Sequence, residues 1–262
     1  MPGPGESPPA PMTFGELPDA RTAYGRGTAV WAADGLLRVE DDWWIALSRT
    51  PYVDYNLALL HGASAGAVTP QVLDEVSRAD VPALIMLAGA GLAASEVLHD
   101  AGWVCTGALP FMARGPGPAE LDPSFRDLAP HELVDARRLA GQAFGVPDEV
   151  GAIIFADDAL GRDGARIWGV FEGDELRCCA VSQWVGTDYS VGWGLSTAPE
   201  HQRAGYGRRL MRSSAARRLD GGPPVNLFMA TPAGQHLYEQ EGYVTLEYWQ
   251  IWSKPRWVLP VH

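Results

Sequence analysis

Apolar positions along this chain switch between a two-residue and a helical period, and each switch predicts the edge of an element. Asp42-Trp43-Trp44-Ile45-Ala46-Leu47-Ser48 and Tyr55 to Leu60 read as strands, as do Pro82 to Ala88 and Trp103 to Met112. A helix is expected from Thr69, as N-cap with Pro70 in the first helical position, to about Arg78. A second runs from Gly91 to His99, with Gly102 beyond its end. Residues 14–38 mix the two patterns and assign no element. The run Arg114-Gly115-Pro116-Gly117-Pro118-Ala119 is the clearest linker. Beyond it come a short strand (125–128), a helix (131–144), a short helix (149–155) and two strands (165–172 and 176–184) joined through Gly173-Asp174-Glu175. A strand over 189–195, a glycine-bearing turn and a helix over 210–219 follow. A strand (225–230), a helix (232–241) stopped by Gly242 and a last strand (243–252) complete the order β-α-α-β-β-β-α-β-α-β.

The two halves resemble each other. Asp54-Tyr55-Asn56-Leu57 matches Asp188-Tyr189-Ser190-Val191, and Pro82 to Ala88 matches Pro224 to Ala230. Val97-Leu98-His99-Asp100-Ala101-Gly102-Trp103-Val104 matches Leu237-Tyr238-Glu239-Gln240-Glu241-Gly242-Tyr243-Val244. The first half is shorter where the second carries its glycine turn, and its counterpart Gly62-Ala63-Ser64-Ala65-Gly66 holds no arginine.

Composition narrows the class. A chain of 262 residues that is 47% hydrophobic, with 10 tryptophans, folds into a globule. Its net charge of −12 argues against general nucleic-acid binding; it suits a cationic substrate such as an amine, and equally serves solubility. The 3 cysteines form neither a disulfide framework nor a metal-ligand spacing, and adjacent Cys178 and Cys179 on a strand are expected to place one thiol inside and one outside. Residues 1–12 are proline-rich, lack the pattern of a signal peptide, and read as a disordered tail. No apolar run is long enough for a membrane span, so a soluble cytoplasmic protein is expected, monomer or homodimer.

The chemistry concentrates in Ala198-Pro199-Glu200-His201-Gln202-Arg203-Ala204-Gly205-Tyr206-Gly207 and the helix after it. A strand, a glycine turn and a helix N-terminus together bind phosphate oxygens, because the first helical turn has N–H groups without partners and a partial positive charge. From Arg203 to Arg218 arginines recur with no acidic residue among them, a local reversal of sign in an acidic chain. No Gly-Lys-Ser/Thr is present, nor the third glycine and downstream acid of a dinucleotide fingerprint. Gln202-x-x-Gly205-x-Gly207 resembles the acyl-CoA pyrophosphate loop of the Gcn5-related N-acetyltransferases (GNAT), and the element order of residues 121–252 resembles theirs too.

That resemblance implies a mixed α/β fold in two tandem acyl-CoA N-acyltransferase-like domains. It divides the chain into a degenerate domain (13–113), a linker (114–120) and a complete acetyltransferase domain (121–262). It implies acetyl-CoA as acyl donor, an amine acceptor and no metal. Gln202, Arg203, Ala204, Gly205, Tyr206, Gly207 and Arg208 would hold the pyrophosphate, Leu195, Ser196 and Thr197 the pantetheine arm, and Thr231 the cofactor beyond the next strand. Tyr238 matches the family's general acid, while Leu98 stands in the equivalent position of the first half. The general base stays open: the strand Ser190-Val191-Gly192-Trp193-Gly194 has no carboxylate, and Asp188, Glu247, His201 and a water relay remain alternatives. A non-catalytic acyl-CoA sensor is the alternative to an enzyme. Trp168, Trp184 and Trp193 read as sheet core before acceptor pocket, since aromatic rings pack well on pleated faces.

Overall fold

The computed structural model describes residues 17–32, 34–117 and 119–258; the tail expected over residues 1–12 lies outside them. The first half opens with α1 (Leu17–Gly27) and one-turn α2 (Ala29–Ala32), which the mixed pattern of residues 14–38 concealed. β1 (Leu36–Val39), β2 (Trp43–Leu47), β3 (Asn56–Leu60), α3 (Ala65–Ala79), β4 (Leu84–Leu87), α4 (Ser95–Asp100) and β5 (Val104–Arg114) follow. The second half runs β6 (Phe125–Asp127), α5 (Leu133–Phe144), α6 (Asp148–Ile154), β7 (Ala165–Glu172), β8 (Glu175–Val185) and β9 (Tyr189–Thr197). It continues with α7 (Tyr206–Leu219), β10 (Val225–Met229), α8 (Pro232–Gln240), β11 (Val244–Ser253) and α9 (Pro255–Val258). The order expected for residues 121–252 is the order observed, and the first half repeats it without the leading strand.

Two local expectations need correction. α3 starts at Ala65 and not after Thr69: Thr69 lies buried inside the helix and donates its hydroxyl to Ala65 O (2.7 Å), so it caps nothing. Pro70 therefore sits in the second turn, where it lacks the N–H that would bond a turn back. Cys178 and Cys179 are both buried, because both faces of the sheet are covered. Cys179 faces α5, with its thiol near Ala136 O (3.9 Å), and Cys178 packs in a cluster with Tyr206 and Leu210 of α7.

The strands form one mixed sheet in the order β1-β2-β3-β4-β11-β5-β10-β9-β8-β7-β6. The halves exchange their last strands: β11 lies between β4 and β5, and β5 lies between β10 and β11. β3 pairs with β4 in parallel, and β9 with β10, while β4–β11, β11–β5 and β5–β10 are antiparallel. The parallel pair of one half thus runs opposite to that of the other, and β9 and β10 end on the sheet edge where β3 and β4 begin. β2, β3 and β4 are buried at every position, which explains their unbroken apolar sequences. No helix among the described residues is long and apolar enough to cross a membrane.

α1 ties the halves together. Gly25 presses on Trp44 of β2, where a Cβ would meet the indole at 2.5 Å, and Gly27 presses on Val191 of β9, where a Cβ would meet the side chain at 2.4 Å. Trp44 donates its indole N–H to Arg21 O (3.1 Å), and Trp193 of β9 donates to Gly27 O (3.0 Å), giving a helix-end carbonyl a partner. Arg21 clasps Glu247 of β11 through both carboxylate oxygens (2.7 and 2.6 Å).

Candidate active site

β9 and β10 pair only from Tyr189↔Val225 to Val191↔Leu227, and beyond that point they part. The closed end is pinned by polar groups: Asn226 donates its amide to Ser190 Oγ (2.7 Å), and the Tyr243 hydroxyl donates to Asn226 Oδ1 (2.7 Å). The open end follows from a bulge. Cys179 pairs with Ser196 and Val181 with Trp193, so Gly194 and Leu195 together oppose Ala180. Gly194 adopts φ 61° there, a conformation for which glycine is suited, and the extra residue bends the strand away. Phe228 of β10 fills the space over Gly192, where a Cβ would stand 1.7 Å from its ring.

The first half lacks such an opening. β3 and β4 stay paired from Leu57↔Leu84 to Leu60↔Leu87, and Ala88 N–H continues the ladder to Leu60 O (3.1 Å).

At the end of β9 the chain makes a 3-10 turn over Pro199–His201, and Gln202 reaches back to donate its side-chain amide to Thr197 O (3.2 Å). Arg203 (φ 63°) and Gly205 (φ 89°) are both left-handed, and Gly205 is the N-cap of α7. The helical ladder is established at Arg209 N–H→Gly205 O (3.0 Å), so the N–H groups of residues 206–208 face the open end of α7. Nothing lies within 4 Å of the place a Gly205 Cβ would take. Left-handed turns ahead of a helix N-terminus form a concavity of amides suited to phosphate oxygens.

The arginines contribute less than their number suggests. Arg208 and Arg212 bind the two oxygens of the buried Glu241 (2.7 and 2.8 Å), Arg209 binds Asp122 (2.7 Å), and Arg217 lies 3.9 Å from Asp127. Hydrogen bonds from Arg209 hold the Asp122 carboxyl well below the usual carboxylate range. Arg208, expected at the cofactor, thus clamps α7 to the end of α8, with Gln240 as a second partner (2.8 Å). Arg203 is exposed and makes no ion pair among the described residues.

Leu195, Ser196 and Thr197 lie along the parted end of β9, with the Ser196 hydroxyl turned back to Gly194 O (2.8 Å). Ala204, Tyr206 and Gly207 line the turn, and the Tyr206 hydroxyl donates to Glu172 (3.2 Å). Thr231 is the N-cap of α8, where its oxygen accepts from Gly234 N–H (3.2 Å). Tyr238 lies two turns further along α8 than Thr231: its ring stacks on Phe228 of β10 (4.9 Å) and lies over Gly234. Burial pushes its phenol up, and the neighbouring Tyr243 adds to the shift.

The candidate bases are otherwise engaged or remote. Glu247 is bound to Arg21 and to the Trp249 indole (2.6 Å). His201 packs against Arg177, whose guanidinium lies 2.5 Å from its Nε2. Asp188 is exposed at the start of β9, where its carbonyl accepts from Val225 N–H at the closed end of the pair. Tyr24 of α1 was missed in the sequence: it is buried beside Trp193 (5.1 Å) and stands near enough to Tyr238 for the charge of one phenolate to oppose the other. The spacing Ala20, Tyr24, Gly27 held the signal of a buried helical face.

Residues 163–245 match the family model of the acetyltransferase (GNAT) domain. No curated protein matches the sequence. Among solved structures, a GCN5-related N-acetyltransferase from Kribbella flavida superposes with a TM-score of 0.66 at 17% identity, covering 94% of this chain and 97% of that one. Another from Sphaerobacter thermophilus gives 0.57 at 11% identity over 90% and 93% of the two chains. A tandem GNAT protein from the clavulanic acid biosynthesis pathway gives 0.54 at 11% identity, over 80% of this chain and 77% of its own. These likenesses are of fold, and they extend over both halves. The strand gap and the amide-lined turn both fall inside the stretch, residues 163–245, that is similar to the acetyltransferase (GNAT) domain.

Proposed function

We propose that the protein transfers an acetyl group from acetyl-CoA to a primary amine of a small molecule or peptide, by direct attack in a ternary complex. One observation carries the reading: the gap between β9 and β10 opens beside the amide-lined turn at the start of α7. Main-chain N–H groups of residues 203–208 hold the diphosphate, and Arg203 is the cation nearest to hand. Leu195 to Thr197, released from β10, have backbone groups to offer the pantetheine arm. Tyr238 gives its phenolic proton to the sulfur as the carbon–sulfur bond breaks and the amine nitrogen bonds to the carbonyl carbon. The nitrogen's surplus proton leaves to water, since Glu247 is engaged by Arg21 and Asp188 stands at the closed end of the strand pair. Residues 13–113 serve as a degenerate companion domain without a donor site, joined through residues 114–120 to the catalytic domain of residues 121–262.

Acetyl-CoA or CoA at about 100 times its dissociation constant should stabilise the fold by about 2.7 kcal/mol, seen as a rise in melting temperature. No rise at saturating ligand overturns the donor site. A non-catalytic acyl-CoA sensor is the second reading, favoured by the closed acceptor side, where Tyr24 is only 1% exposed. Thiol release across a panel of amines separates the two: binding without release for every amine favours the sensor.

A further inference from the structure

We propose that Tyr24, supplied by the N-terminal half, forms the far wall of the acyl site and limits the donor to short acyl chains. The inference rests on the donor site described under the proposed function. Beyond Val191 and Leu227 the sheet is open between β9 and β10. The α8 cluster of Leu237 and Tyr238 lies on one face and the α1 cluster of Tyr24, Phe111 and Trp249 on the other, so a thioester entering from the α8 face would carry its acyl group toward α1. On that far side Tyr24 spans the opening. Its ring lies 5.1 Å from Trp193 of β9 and meets Phe111 edge-on at 5.5 Å, and Phe111 is the cross-strand partner of Met229 at the end of β10.

The main chain indicates the same place. Val225 N–H bonds toward β9 and Ala230 N–H toward β5, so alternation aims Met229 N–H into the gap. The Tyr24 hydroxyl is the group that this N–H faces. The wall is firmly backed. Trp249 stands edge-on to Tyr24 at 5.3 Å, and Trp44 lies 6.1 Å away. Gly25 and Gly27 fix α1 against Trp44 and Val191, so the helix has no room to slide toward either half. An acetyl group ends before this wall, whereas a longer chain collides with it.

The test uses the full chain, with CoA, acetyl-CoA and hexanoyl-CoA as probes and calorimetry as readout. Wild type should bind acetyl-CoA at least about tenfold tighter than hexanoyl-CoA. Tyr24→Ala should shift that ratio about tenfold or more toward hexanoyl-CoA, since the vacated ring leaves an apolar cavity for the added methylenes. Affinity for CoA itself, which has no acyl group, should stay within about twofold. Should Tyr24→Ala fail to fold by near-ultraviolet circular dichroism, Tyr24→Leu keeps an apolar filling and should move the ratio the same way. An unchanged ratio in either folded variant overturns the wall while leaving the donor site standing. Failure of wild type to bind CoA overturns the donor site, and the wall with it.

Discussion

The Tyr238 phenol, packed against Phe228, holds its proton above the ordinary tyrosine range, which suits the donor role proposed for it. Burial raises the folded pKa of Tyr238, so its protonated form persists above the pH at which an exposed tyrosine ionises. Tyr238→Phe should therefore lower turnover by about 100-fold or more at neutral and alkaline pH, with the CoA-induced melting shift preserved. Wild-type turnover in that variant removes Tyr238 from the chemistry. His61 presents the opposite case. Burial, then the Arg21 guanidinium, lower its pKa to about 4, against the opposing pull of Asp42 and Glu247, and its Nε2 has no hydrogen-bond partner. The folded state holds this imidazole neutral while the unfolded chain protonates it near pH 6.5. The stability it supports is whole above that pH and drains away as the pH falls toward about 4, amounting to at most about 3 kcal/mol. His61→Gln should flatten the denaturant midpoint between pH 6.5 and 4, and an unaltered slope would assign the acid sensitivity elsewhere.

Within β9, two glycines divide the work that opens the sheet, and α7 adds a third at its N-cap. Gly194 and Gly205 hold left-handed angles, while Gly192 gives up its side chain to Phe228. Gly205→Ala meets no neighbour, so its cost is the backbone angle alone, about 1–2 kcal/mol. Gly192→Ala places a methyl inside the Phe228 ring and should cost more, besides displacing that ring from beneath Tyr238. Denaturant titration of both variants checks this order of cost, and equal costs would refute the packing described for Phe228. Element order was legible in the sequence because periodicity and glycine punctuation are local. The bulge was not, since it depends on the count of residues in β8 against those in β9. Likewise Arg208 looked available for a ligand because its partner Glu241, 33 positions on, is invisible to local reading.

At the level of the whole molecule, the repeated halves are not separable blocks, because each completes the other's sheet. The sequence repeat announced the tandem, yet no pattern of apolar positions tells a strand which neighbour it will take. α1, lost in a mixed pattern, is the helix that joins them. Arg21→Met removes one partner of a mostly buried ion pair between α1 and β11 and should cost about 3–5 kcal/mol, because Glu247 is left without its cation. Calorimetry should show both halves melting together in that variant as in wild type, and two separated transitions would contradict the shared sheet. Expressed alone, residues 121–262 lack β5, and should stay insoluble unless residues 1–120 are supplied in the same cell. The crossover also has a consequence for biosynthesis. When a ribosome has released β4 and β5, the berth between them must wait for residues 244–253, more than a hundred codons later. Until then the nascent half exposes two raw strand edges, and that interval is when a holdase chaperone would find its grip.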